Sequence, residues 1–246
     1  MSSFFLNGKI IRSVAFDMDG TLVDCEPSNR EAVQNAVGSE FKINWGKYAG
    51  VKEVDILAAL KQEYGSNRIT IAADDFVAAC KKGYKEAIKK LEPRLGMMPL
   101  LNTLKDLDIP IIIVTNSDTT TAKEKLTQCG MLDYLFDIIG ADTITEHGLK
   151  AKPSGDGYIL AAEMLDIKIE EMMGVEDSTT GMNALSETKA LAVHIIDYGT
   201  PEHQKANIII DGMGSGDLLA LNNLIRRENY SKLLGLLPEP CSPAHA

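Results

Sequence analysis

The chain is short of several things, and each shortage excludes a class of protein. Its four cysteines, Cys25, Cys80, Cys129 and Cys241, form no Cys-x-x-Cys pair, and no histidine stands at zinc-ligand spacing from any of them. A disulfide framework and a structural zinc site are thereby excluded as organising features. The thiols read as reduced packing groups of a cytoplasmic protein. No apolar run is long enough to span a bilayer, and near the N-terminus only Phe4-Phe5-Leu6 is apolar, too short for a signal segment. Cations are in deficit: 25 Lys and Arg against 35 Asp and Glu, a formal net charge of −10. Such a balance argues against nucleic acid and against anionic membrane as partners. An anionic ligand would have to be drawn in by local cations rather than by the overall field. There is no internal repeat.

What is present centres on one stretch. An apolar run, Ile10-Ile11 and then Val14-Ala15-Phe16, has the length and type of a buried strand. It stops at Asp17, and Asp19, Gly20 and Thr21 follow. Gly20 permits a sharp turn and close approach of the backbone to a ligand. Asp17 and Asp19 would point the same way if the extended geometry persisted that far. Two adjacent carboxylates repel, and both stay ionised most easily beside a cation. Magnesium is bound through one or two carboxylates, water and a substrate phosphate. A carboxylate can also be a nucleophile that accepts a phosphoryl group.

Residues 25–94 read as an all-helical insertion. Glu26-Pro27 opens a helix carrying Ala32, Val33, Ala36 and Val37 at helical spacing. A second helix carries Ile56, Leu57 and Leu60 after a turn at residues 50–53. A third carries Phe76, Val77, Cys80, Tyr84, Ala87, Ile88 and Leu91. Proline then breaks the pattern at Pro93 and Pro99. From there to about residue 228, helices alternate with apolar runs at 109–114, 138–139, 172–175, 191–196 and 208–210, with Ser215 as an N-cap for the last helix. That rhythm predicts an α/β fold, a Rossmann-like doubly wound parallel sheet, with a small helical cap inserted after its first strand. The expected division is residues 1–24 and 95–230 for the core, 25–94 for the cap, and 231–246 for a flexible tail.

Ligands of such sheets bind beyond the carboxyl ends of the strands, and polar groups stand there. The run at 109–114 is followed by Thr115-Asn116-Ser117, the run at 172–175 by Glu176-Asp177-Ser178, and Lys152-Pro153 lies between, expected to open a helix. Thr115 and the amides of Asn116 and Ser117 could cradle anionic oxygens. Lys152 offers a cation, and Asp177 with Glu176 a second metal anchor. Each group alone is commonplace as a turn, a cap or a surface charge. Their joint occurrence at successive strand ends is not.

Phe16-Asp17-Met18-Asp19-Gly20-Thr21, Thr115-Asn116-Ser117, Lys152-Pro153 and Gly174-Val175-Glu176-Asp177-Ser178 with Gly181 together resemble the motifs of the haloacid dehalogenase superfamily, in its helical-cap phosphatase and β-phosphoglucomutase-like branch. The resemblance covers about residues 10–228. It implies a Mg2+-dependent phosphatase acting on a small phosphate ester such as a sugar phosphate or a phosphoglycolate-like acid. By that resemblance Asp17 is the nucleophile and Asp19 the acid and base. Asp17, Asp19 (through its backbone carbonyl) and Asp177 hold the metal, with Glu176 behind them. Thr115, Asn116 and Lys152 bind the phosphoryl group. Glu26, Asn29 and Lys52 are the cap residues expected to face the leaving group. A phosphosugar mutase is the alternative, weakened because residues 25–94 contain no histidine where that branch uses one. A non-catalytic domain that binds a phosphometabolite or a protein partner is a further alternative. A monomer or weak dimer is expected.

Overall fold

The computed structural model describes residues 2–45, 48, 51, 53–196, 204–211 and 217–230. Its centre is a six-stranded parallel sheet of β3 (Ser13–Phe16), β4 (Ile111–Val114), β5 (Asp137–Ile139), β6 (Met172–Glu176), β7 (Leu191–Ile196) and β8 (Ile208–Asp211). The strand order is β5-β4-β3-β6-β7-β8, so β3 lies centrally and pairs with both β4 and β6. The central strands are apolar on both faces because both faces are covered. Val14, Phe16, Ile111 and Ile113 pack to one side with Leu100 of α4 (Met97–Asp106), Leu126 of α5 (Thr119–Gln128) and Leu221 of α9 (Asp217–Glu228). Ala15, Ile112 and Val114 pack to the other with Tyr158 of α7 (Asp156–Met164) and Leu185 of α8 (Thr179–Ser186). Alternate residues of one strand thus feed two cores, which is the period of two at work. A further short helix, α6 (Ala141–Glu146), sends Ile144 into the second core.

Between β3 and α4 lie three helices, α1 (Glu26–Val37), α2 (Glu53–Tyr64) and α3 (Ala73–Ile88). They bury a cluster of their own, with Val33, Phe41, Trp45, Ile56, Leu60, Phe76 and Cys80 at its heart. The two chain crossings that join this helical segment to the sheet are stitched together. Val23 and Pro93 form an isolated antiparallel bridge, and the Arg94 amide donates to the Leu22 carbonyl at 2.8 Å.

Two sequence expectations are corrected. The apolar run at 10–16 is not one strand. Arg12 separates β3 from a hairpin of β1 (Phe4–Leu6) and β2 (Lys9–Ile11), which form a two-stranded sheet of their own whose Phe4, Leu6 and Ile11 join the first core. The cause is Asn7-Gly8, both at positive φ (50° and 75°), the residue pair that a tight two-residue hairpin turn favours. Lys152-Pro153 does not open a helix either, since α7 begins only at Asp156. Asp156 closes the intervening loop, accepting from the Lys150 amide at 2.9 Å and from the Ser154 hydroxyl at 2.8 Å. Lys52, Ser215 and the tail lie outside the described residues, as does the side chain of Glu26.

The single tryptophan, Trp45, sits in the helical segment's cluster beside fully buried Phe76. Phe76→Ala is expected to cost about 3–5 kcal/mol in that segment. In a denaturant titration the tryptophan fluorescence transition should move to lower concentration well ahead of the far-ultraviolet circular dichroism of the sheet.

Candidate active site

The site is built where β3 and β6 end. Phe16 is in register with Val175, and the Asp17 amide continues the ladder by donating to the Val175 carbonyl at 2.9 Å. Asp17 on one strand and Glu176-Asp177 on its neighbour therefore leave the same edge together. Carboxylate oxygens of Asp17, Glu176 and Asp177 all lie within 4.8 Å of one another. Lys152 reaches into this group from the loop before α7. Its ammonium donates to Asp17 Oδ1, to Glu176 Oε1 and to the Val114 carbonyl, each at 2.6 Å. An ammonium has three donors, and all three are used.

These distances set the electrostatics. Burial raises the Asp17 carboxyl, Lys152 pulls it back, Glu176 and Asp19 push it up again, and it rests at about 7. Burial would lower the Lys152 ammonium, but Asp17 and Glu176 outweigh it and hold it above the ordinary lysine value. Burial, then Asp17 and Glu176, push Asp177 well up, opposed by the Thr21 hydroxyl and by Arg94. Tyr158 donates its hydroxyl to Glu176 Oε1, while Glu176 Oε2 is buried with no hydrogen-bond partner among the described residues. A buried carboxylate oxygen without a donor is costly, and carboxyls raised by burial and by one another ionise only when positive charge is brought near. Both defects are cured by one hard divalent cation, and an all-oxygen donor set suits magnesium rather than zinc. Asp17, Glu176 and Asp177 thus fit such an ion.

The structure brings most of the expected residues here. The Asp19 carboxylate stands apart from the three-oxygen group: Oδ1 pairs with the Lys125 ammonium at 2.6 Å, and Oδ2 accepts from the Ser117 hydroxyl at 3.0 Å. Glu176, expected behind the ligands, offers an oxygen within the group itself. Thr115 is buried at the end of β4, where its hydroxyl oxygen accepts from the Ser117 amide at 3.1 Å. Asn116 is exposed and donates to the Lys152 carbonyl at 3.4 Å. Asn29 lies on α1, its side-chain amide donating to Cys25 Sγ at 3.7 Å rather than to the carboxylate group.

Two glycines are demanded by close approach. Gly20 is at φ +89°, and a Cβ there would stand 2.0 Å from Asp177 Oδ2. A Cβ at Gly181 would meet the Glu176 carboxyl at 1.9 Å. Sequence reasoning missed Arg94, Lys125, Tyr158 and the Ser117 side chain. Lys125 and Tyr158 sit inside helices with nothing in their spacing to mark them. Arg94 sits in the proline-flanked break that closes the helical segment.

A family model described as haloacid dehalogenase-like hydrolase matches residues 11–187. The chain belongs to that family, and it is an enzyme of the hydrolase class. Phosphoglycolate phosphatase of Neisseria gonorrhoeae is 28% identical over 240 residues, covering 93% of this chain and 91% of that protein. Among solved structures, a haloacid dehalogenase family hydrolase from Deinococcus radiodurans, with bound phosphate and sodium, superposes with a TM-score of 0.71 at 22% identity, covering 87% and 97% of the two chains. β-Phosphoglucomutase from Clostridium difficile does so at 0.63 and 18% identity, covering 88% and 98%. The structural likenesses confirm the doubly wound parallel sheet. No helix among the described residues is long and apolar enough to cross a membrane.

A pH prediction follows from the raised Asp17 carboxyl. A group whose folded value lies above its unfolded 3.8 contributes most below 3.8, and the contribution is lost as pH rises towards about 7. In chelator, Asp17→Asn should therefore melt higher than the parent at about pH 8, and the gap should close towards about pH 4. Parallel thermal melts across that range check the sign.

Proposed function

We propose that the chain hydrolyses a small phosphate monoester by passing the phosphoryl group through the Asp17 carboxylate. The observation that carries this reading is the Lys152 ammonium held at 2.6 Å from Asp17, within a three-carboxylate group at the ends of adjacent parallel strands. Asp17 attacks phosphorus, the ester P–O bond breaks, and the leaving oxygen takes a proton from Asp19. A water then attacks the aspartyl phosphate and gives a proton to Asp19. The Asp17 P–O bond breaks and inorganic phosphate departs. Asp19 suits the shuttle because it stands outside the three-oxygen group, and turning to the substrate costs it a partner among Lys125 and Ser117. Lys152 offsets charge on Asp17. To touch the phosphoryl oxygens it must exchange one of its three protein partners for them. The Thr115 hydroxyl and the Asn116 amide lie at the neighbouring strand end, suited to the remaining oxygens, whereas the Ser117 amide is already given to Thr115.

Asp17 and Asp177, with Glu176 beside them, would hold Mg2+. When bound, that ion offsets the phosphoryl charge and favours the ionised nucleophile. The helical segment is the cap in this reading, shielding the site and choosing the substrate. Phosphoglycolate phosphatase relatives support a small phosphorylated acid, with sugar phosphates next. The fold shared with β-phosphoglucomutase keeps a mutase in view, but the want of histidine in residues 25–94 supports hydrolysis.

Wild-type protein is expected to release phosphate from an aryl phosphate, and excess chelator should stop it. Asp17→Asn should lose at least about 10³-fold in kcat with an unchanged circular dichroism spectrum, as loss of a nucleophile does. Full activity in that variant ends the proposal. A panel containing phosphoglycolate and sugar phosphates then orders the substrates. Conversion of β-glucose 1-phosphate to the 6-phosphate with a bisphosphate activator would establish the mutase instead.

A further inference from the structure

The hinge between the helical segment and the sheet carries a cation that the chemistry above does not use. Arg94 lies on the irregular segment returning from α3, and the residue is only 7% exposed. Its backbone is fixed: the amide donates to the Leu22 carbonyl at 2.8 Å, and Pro93 before it is bridged to Val23. From this anchored position the guanidinium donates through Nη1 to the Gly20 carbonyl. Gly20 is the residue whose backbone is pressed against Asp177, and its neighbour Thr21 donates to Asp177 Oδ1 at 3.2 Å.

We infer that Arg94 is a positioning residue for metal binding: it clamps the Asp19-Gly20-Thr21 turn against Asp177 from the chain segment that leaves the helical insertion. This deepens the phosphatase reading and rests on it for the identity of the ion. Two observations carry it. The first is burial. A guanidinium cannot shed its charge, and burying one is costly unless its donors are well placed. The second is direction. The donor goes to the carbonyl of Gly20, where even a Cβ would stand 2.0 Å from Asp177 Oδ2, so displacing that turn displaces the wall behind an expected ligand. A shift of the returning segment is consequently delivered to the turn that holds Asp177.

Two effects of removing Arg94 have opposite signs, which makes the inference testable. Were it only a counter-charge, its loss would leave the cluster more negative and bind a divalent cation more tightly. As a clamp, its loss lets the turn slacken and binding weakens, by the roughly 10–100-fold typical of residues that orient metal ligands. The probe is Mn2+, titrated into full-length protein and followed by electron paramagnetic resonance, a readout independent of turnover. Arg94→Met should bind Mn2+ at least about tenfold more weakly than wild type, and kcat on an aryl phosphate should fall more than KM changes. Arg94→Lys, which keeps the charge and one donor, should fall between. Unchanged or tighter Mn2+ binding in a variant that still melts cooperatively in chelator overturns the inference. If Arg94→Met does not fold, Arg94→Lys is judged alone, with weakening of at least about threefold required, a share of the loss expected for such residues. A wild-type protein that binds Mn2+ but turns over no phosphate ester would sink the phosphatase reading and leave this test intact.

Discussion

The structure depends on one buried ammonium and the three oxygens around it. Lys152 joins three separate pieces of chain: the end of β3 through Asp17, the end of β6 through Glu176, and the end of β4 through the Val114 carbonyl. A charge at that depth is tolerated only when its donors are satisfied and opposite charge is near. Here every donor is satisfied and two carboxylates face it. The same contact gathers the three strand ends into one site, so satisfying the lysine and assembling the site are one event.

The carboxylates around it divide into two environments. Asp17, Glu176 and Asp177 crowd together at the sheet edge, where burial and mutual repulsion raise Asp17 and Asp177 and leave Glu176 Oε2 without a donor. That crowding is the signature of a place built for a cation. Asp19, two residues along, is drawn out of the crowd by Lys125 and Ser117. Pairs of like groups in unlike surroundings are how one fold supplies both a nucleophile and a proton shuttle. Two cations outside the motifs, Lys125 and Arg94, help to set this balance. In an acidic chain with net charge −10, Lys152, Lys125 and Arg94 thus supply local positive charge around these carboxylates.

Much of this is legible in the sequence alone. The sheet strands announced themselves as short apolar runs, and the helical segment by its 3.6-residue spacing, because buried elements must show their period. Asp17, Lys152 and Asp177 were legible because strand ends in parallel sheets are where polar residues collect around ligands. The hairpin departs from the sequence expectation because the apolar run at 10–16 reads as continuous, although Asn7-Gly8 carries the turn signal. The loop at 150–155 was misread because Pro153 suits a helix start as well as a turn, and only the Asp156 hydrogen bonds distinguish the two.

Sequence by itself determined which motif residues stand at the strand ends and, the N-terminal hairpin and the 150–155 loop aside, which segments fold as strand or helix, since both follow from residue type and local spacing. Tertiary structure alone decided the partnerships. Asp19 faces Lys125 rather than the cluster, Tyr158 reaches Glu176, and Arg94 grips the Gly20 turn across 74 residues of chain. Such pairings depend on how distant elements pack, and no local pattern records a contact whose two halves lie that far apart.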